Sequence, residues 1–506
     1  MIRRLSYFTI LAAILAVLFS CATEPEGRPK GHQDAPADPV APQTRPETER
    51  AEPERPGKAG PAQPEGETDR SSPPELPLPE VGEPPEEHGA GNDTPVAAPP
   101  RQPRPQPPPE PTPEERLEHQ IERIIASMSV EERIGQLIFP AIMKDPSGRP
   151  IWRVTEDVRA LMKDVRPGGV ILFGPNFTTL EATRAFLDEL QSLAEIPLVF
   201  AVDQEGGLVS RLTESSSLPA TPIPPASLVG ATGSEELARE LGSVVGAELR
   251  SLGIVMNLAP VADVNTNPEN PVIRSRAYGS DPVAVARIVA AVVEGMQSQG
   301  VAAVLKHFPG HGDTYDDTHY SSAVVYHDLQ RLREVELVPF RLGIEAGAKG
   351  VMTGHIGVPE ILGHEEPATF SQELLEGVLR QELGFDGLVV TDSLAMAALI
   401  NYYPQDEIVF RALEAGNDIL LRPLYARRAY DALQRGLASG RITEERIDAS
   451  VGRILRFKFE SGLMELPEEG EEFFGIGEVG GNEAEVLGRE EHWEVIRRIE
   501  AAAAPF

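Results

Sequence analysis

Between Glu114 and about Met464, short apolar runs alternate with longer amphipathic stretches. The runs are Gln136–Phe139, Gly169–Phe173, Leu198–Val202, Ile254–Leu258, Ala302–Leu305, Gly350–Thr353, Gly387–Thr391 and Asp418–Leu421. They are rich in β-branched residues and lack polar alternation, which predicts strands covered on both faces, as in a parallel sheet. Leu180–Ala194, Ser234–Leu252, Pro282–Gln299, Ser371–Leu383 and Arg427–Leu437 repeat apolar residues at spacings of three and four, which predicts helices. Eight strand-then-helix units in about 350 residues predict an α/β chain folded as a single (β/α)8 TIM-type barrel, with the helical stretch Thr443–Phe459 closing it. A doubly wound open sheet is the alternative, but no glycine-rich dinucleotide fingerprint follows an early strand.

The flanks differ in composition. Arg3 and Arg4 precede the apolar run Phe8–Phe19, which is short for a membrane span and has the form of a secretory signal. It ends in Leu18-Phe19-Ser20-Cys21, similar to a bacterial lipobox, with the chain's single cysteine at the lipidation position. Cys21 is therefore expected to carry a lipid anchor; ordinary signal cleavage is the alternative and would also export the chain. With no aspartate next to Cys21, the expected place is the outer membrane, facing the periplasm. Residues 22 to 113 are Pro- and Glu-rich and hold roughly half of the 48 prolines. They read as a disordered, semi-rigid tether, able to reach up to roughly 280 Å in polyproline form. The expected organisation is thus a signal at 1–21, a linker at 22–113, a catalytic barrel at 114–464 and an acidic tail at 465–506 with one helix, His492–Ala503. The net charge of −33 argues against nucleic acid or an anionic membrane surface as a partner, because both would be repelled.

Polar residues crowd the C-terminal ends of the runs, where a barrel builds its site. Asp203-Gln204-Glu205 follows the third, Asn257 and Asp263 lie at or after the fourth, Lys306-His307 follows the fifth, His355 the sixth and Asp392 the seventh. The densest stretch runs from Lys306 to His319 and holds one lysine, three histidines and three aspartates among turn-forming residues. So many titratable groups suit neither core nor an ordinary connection. A metal site from His307, His311 and His319 with Asp313 and Asp317 is the alternative to catalysis, but their spacing fits no helical His-x3-His zinc site.

Ala201-Val202-Asp203-Gln204-Glu205-Gly206-Gly207, Lys306 through Thr314, and Thr391-Asp392-Ser393-Leu394-Ala395-Met396 resemble the family 3 glycoside hydrolases, and within them the β-N-acetylhexosaminidase branch. The similarity runs from about Val130 to Leu463. The resemblance implies that Asp392 is the catalytic nucleophile, His319 the acid/base and Asp317 its partner, with Asp316 the alternative partner. It implies sugar contacts from Asp203, Arg211, Arg276, Lys306 and His307, with Glu205, His311 and Asp313 supporting them and His355 in the pocket wall or behind it. Leu208 departs from the family, which often has arginine there. Asp392 could instead cap a helix over Ser393–Leu399.

The expected activity is that of a retaining exo-β-N-acetylglucosaminidase (EC 3.2.1.52 type), needing no cofactor and no metal. Its carbohydrate substrate would carry terminal N-acetylglucosamine, from peptidoglycan or a chitin-like glycan. Other readings are a β-glucosidase or β-xylosidase, a phosphorylase of the same family, or a non-catalytic wall-binding lipoprotein. The glucosidase relatives usually take their acid from a second domain and lack the Asp-x-His loop.

Overall fold

Every apolar run becomes a strand: β1 Ile138–Phe139, β2 Gly169–Leu172, β3 Val199–Val202, β4 Met256–Asn257, β5 Ala302–Phe308, β6 Gly350–Thr353, β7 Leu388–Thr391 and β8 Leu420–Leu421. This computed structural model describes residues 111–214, 217–315, 323–467, 474–477 and 486–503, all within one compact unit, Pro103–Phe506. The predicted signal, Cys21 and tether lie outside the described residues.

The strands run parallel in chain order from β2 to β7. β8 pairs with β1, with Ile138 opposite Leu420. Parallel bridges from Ala141 to Ile171 and from Val390 to Ile419 join that pair to β2 and β7. The sheet therefore closes into an eight-stranded barrel, and the open-sheet alternative falls away.

Alternate residues of each strand explain why the runs lack polar positions. Ile171, Val199, Ala201, Ala302, Val304, Leu388 and Val390 pack inside the barrel with Phe139 and Met256. Val170, Leu172, Phe200, Val202, Ala303, Leu305 and Val389 face outward against the helices. Both faces are thus removed from water, so a polar side chain on either is costly unless it is paired. Ile454, Phe457 and Leu463 join the inner cluster and come from the last barrel helix, Glu444–Glu460, and the turn after it.

Several of the helices begin at side-chain caps. Thr179, Ser234, Asp281 and Thr443 each accept a hydrogen bond from the amide three residues on, which satisfies donors that the first helical turn leaves open. The stretch expected to be an ordinary helix near Ser371–Leu383 is a wider π-type helix over Glu373–Glu382.

Near the C-terminus, Glu490–Ala503 is helical, and Ile496 and Ile499 are buried in the outer core. The carboxylate of Glu248, on the helix Glu235–Ser251, gathers this region. It accepts hydrogen bonds from the Thr221 hydroxyl at 2.6 Å and the Gly488 amide at 2.9 Å, and pairs with His492 Nδ1 at 3.0 Å. Among the described residues no helix is long and apolar enough to cross a membrane.

Candidate active site

At the C-terminal ends of the strands lies a cavity of about 160 Å³ whose wall includes Asp203, Glu205, Arg211, Arg276, Lys306, His307, His311 and Asp392. The chain reaches it by short devices. After β3, Gln204–Gly206 and Val209–Ser210 form a hairpin; its turn residues Gly206 and Gly207 have φ of 105° and 57°, left-handed values that side chains resist. The hairpin brings Glu205 and Arg211 to the cavity.

β5 supplies two neighbours, Lys306 and His307. Adjacent residues of a regular strand point to opposite faces, yet both of these line the cavity. The pairing of β5 with β6 shifts register between Leu305 and Phe308, and that irregularity breaks the alternation.

The charged groups form two linked networks. Lys306 Nζ lies 2.7 Å from Asp203 Oδ1 and 2.6 Å from Glu205 Oε1. Arg276 donates from Nε and a terminal nitrogen to the two oxygens of Glu205, each at 2.8 Å, a bidentate geometry that fixes both planes. Burial would raise the Glu205 carboxyl, but Arg276 and Lys306 hold it well below its ordinary range. The same carboxylates overcome the effect of burial on the two cations and hold both more firmly charged. Lys306 keeps one ammonium donor and Arg276 three guanidinium donors beyond these bonds, so both can still serve a ligand.

In the second network Asp263 Oδ2 pairs with His307 Nδ1 at 2.7 Å, while its Oδ1 accepts from the amides of His307 at 3.1 Å and His311 at 2.7 Å. Asp263 is fully buried; burial opposes its charge, but His307 and His311 keep it ionised. The proton of His307 therefore belongs on Nδ1, and Nε2 turns toward Arg276 at 3.5 Å. His311 is held by Thr314, whose hydroxyl lies 2.7 Å from Nδ1. Burial and the neighbouring His307 push His311 down to about 4, so it stays neutral at ordinary pH.

Asp392 follows β7 and is half-buried, with one oxygen 2.6 Å from the amide of Ser393. Burial would raise its carboxyl, but His355, His307 and Lys306 outweigh that and hold it ionised. The helix that follows starts at Ala397 with Met396 at its cap, so Asp392 does not cap it. His355 stands behind the site, between the Thr369 hydroxyl at 2.8 Å and the Ser393 carbonyl at 3.0 Å.

Asp203, Arg211, Arg276, Lys306, His307 and Asp392, expected together from sequence, do share this cavity. Asp317, His319 and Asp316 lie outside the described residues. Just before them in the chain, Asp313 bonds Thr266 at 2.9 Å and His327 at 2.6 Å. Leu208 is 80% exposed at the hairpin tip. The wall also includes Phe173, just past β2, and Arg422, after β8, neither of which is a site residue expected from sequence. The same signal, a polar residue just past a strand, would have found Arg422. Asp418 lies at the opposite end of the eighth run, away from the cavity. It is fully buried and tied to Arg380 at 2.8 Å and Arg453 at 3.0 Å, an architectural role suited to the barrel's bottom.

A closed parallel barrel with carboxylates and paired cations gathered at the strand ends has the form of a barrel enzyme acting on a polar, hydroxyl-rich ligand. Residues 129–457 match the sequence profile described as Glycosyl hydrolase family 3 N terminal domain, and the chain belongs to that family. Beta-hexosaminidase A of Pseudoalteromonas piscicida is 34% identical over 354 residues, covering 62% of this chain and 57% of that protein. Beta-hexosaminidase of Thiobacillus denitrificans is 39% identical over 286 residues, 55% of this chain and 77% of the relative. A solved family 3 β-N-acetylglucosaminidase from Paenibacillus sp. superposes with a TM-score of 0.67 at 38% identity, covering 74% of this chain and 69% of that one. The chain thus spans little more than half of the first relative's length.

Proposed function

We propose that this protein is a retaining exo-β-N-acetylglucosaminidase that removes terminal N-acetylglucosamine from glycans of the cell envelope. The observation that carries the reading is the placement of an ionised Asp392 in the same small cavity as Asp203, Arg276, Lys306 and His307. The names of the hexosaminidase relatives support the choice of sugar. In the first step the Asp392 carboxylate attacks the anomeric carbon, and the glycosidic bond breaks as its oxygen takes a proton from His319. In the second, His319 deprotonates water, which displaces Asp392 and restores the original anomeric configuration. Asp203, Lys306, Arg276 and His307 supply acceptors and donors for ring hydroxyls.

Turnover of a panel of p-nitrophenyl glycosides tests the reading: the N-acetyl-β-glucosaminide should be preferred, and a preference for the glucoside or xyloside would replace it. Rates that require added phosphate would instead mark a phosphorylase. Histidine suits the acid/base role because it titrates near neutral pH. His319→Ala should slow an oligosaccharide substrate by about 10²- to 10⁴-fold and the p-nitrophenyl substrate much less, since a good leaving group needs little protonation. Equal losses on both would remove His319 from the role.

For its location, the reading is a lipid-anchored envelope protein, held through Cys21 and carried by the Pro-rich stretch toward its substrate. Cys21→Ala should move the protein from the membrane fraction to the soluble fraction of the envelope. An unchanged membrane fraction would count against the anchor.

A further inference from the structure

Four cationic side chains line the cavity: Arg211, Arg276, Lys306 and Arg422. Three have carboxylate partners. Lys306 holds Asp203 and Glu205, Arg276 holds Glu205, and Arg211 lies 2.6 Å from Glu214. The Arg422 guanidinium differs, having neither an ion pair nor a hydrogen bond to any described residue. It lies over the Phe173 ring, 5.2 Å from its centroid, and Arg211 approaches the same ring at 5.4 Å.

The backbone presents Arg422 deliberately. Its amide is fixed by the Phe139 carbonyl at 2.8 Å, and its φ is 46°, a left-handed value that residues with side chains seldom hold. Such conformations concentrate at ligand sites, where surrounding structure enforces them. Burial and the adjacent Arg211 work against its charge, whereas Asp392 and Asp203 favour it from a distance. A partly buried guanidinium beside a second arginine is poorly compensated unless an acceptor arrives with the ligand.

We propose that Arg422, stacked on Phe173, binds an oxyanion substituent carried by the glycan. This inference rests on the glycosidase reading above. The planar guanidinium offers paired parallel N–H donors that match a carboxylate, sulfate or phosphate, and the aromatic ring orients the group without using up those donors. Asp203, Asp392, Phe173 and Arg422 line the same cavity, so a glycan engaged by the two carboxylates also lies beside Arg422. The oxyanion has two sources: a sulfate or phosphate on the sugar in the cavity, or a carboxylate on the sugar beyond the scissile bond.

Two matched substrate pairs separate the sources. One is p-nitrophenyl N-acetyl-β-glucosaminide with and without a 6-sulfate; the other is N-acetylglucosamine β1,4-linked to N-acetylmuramic acid or to N-acetylglucosamine. For each pair the ratio of kcat/KM, anionic over neutral, is measured for the full chain and for Arg422→Gln and Arg422→Lys. The proposal expects a ratio of at least about tenfold in one pair, consistent with a charge-assisted contact. Arg422→Gln should bring that ratio near one, and Arg422→Lys should restore part of it. A ratio near one in both pairs for the native chain, or one that survives Arg422→Gln, overturns the proposal. Calorimetric binding of N-acetylglucosamine 6-sulfate, N-acetylmuramic acid and N-acetylglucosamine provides a readout without turnover. If no substrate is cleaved but the anionic sugars still bind more tightly in an Arg422-dependent way, the glycosidase reading fails and the oxyanion site stands.

Discussion

Asp392→Asn is expected to lower turnover of p-nitrophenyl N-acetyl-β-glucosaminide by roughly 10⁴-fold or more, the scale on which removal of a covalent nucleophile acts. The fold should survive. The Asp392 carboxylate makes one hydrogen bond to a described residue, the Ser393 amide, and an asparagine side-chain oxygen can accept it as well. Stability should therefore change by about 1 kcal/mol or less. The loss is expected in kcat as well as in kcat/KM, because the attack on the anomeric carbon is made in the transition state and not in the bound substrate. A purified Asp392→Asn protein that retains a tenth of native turnover would exclude the nucleophile role.

Glu205→Gln is expected to act on both stability and activity. Glu205 receives two bonds from Arg276 and one from Lys306 while almost wholly buried. An amide cannot neutralise either cation, and one oxygen must replace two. Removing one partner of a buried ion network costs about 3–5 kcal/mol, to be read from the shift in a denaturant unfolding midpoint. The pH dependence provides a second readout. Because the folded carboxyl is held below its ordinary 4.5, the unfolded chain takes up the proton first. The stabilisation is present above pH 4.5 and declines as pH falls below it. The glutamine variant should lack that acid-side decline at this position, and activity should fall because Lys306 and Arg276 lose their fixed orientation. A change below about 1 kcal/mol would mean that the network is dispensable.

The barrel was legible in the sequence because its strands are covered on both faces, so each appears as an unbroken apolar run. Val199 to Val202 shows this clearly, with alternate residues feeding the inner and outer cores. Site residues were legible where they sit directly past such a run, as Asp203, Lys306 and Asp392 do. The sequence was less informative where function depends on a partner far along the chain. Asp263 appears in sequence as one polar position after a strand, and only the fold shows it holding His307 and His311 from 44 and 48 residues away. Glu205 was read as a support, whereas its two cations come from positions 276 and 306. Phe173 reads as the end of an apolar strand, and nothing in its type signals that two arginines approach its ring.

The docking of the C-terminal helix onto Glu248 sets a limit on how far this chain can be shortened. The family profile ends at residue 457, which invites a truncation there. Such a trimmed protein would strip the Gly488 amide and His492 from Glu248 and open the seats of Ile496 and Ile499. What remained would be a barrel with an under-coordinated carboxylate at its flank and a newly wetted apolar groove beside it. Residues 486–503 therefore belong with the barrel in any minimal preparation, although they lie outside the region that defines the family.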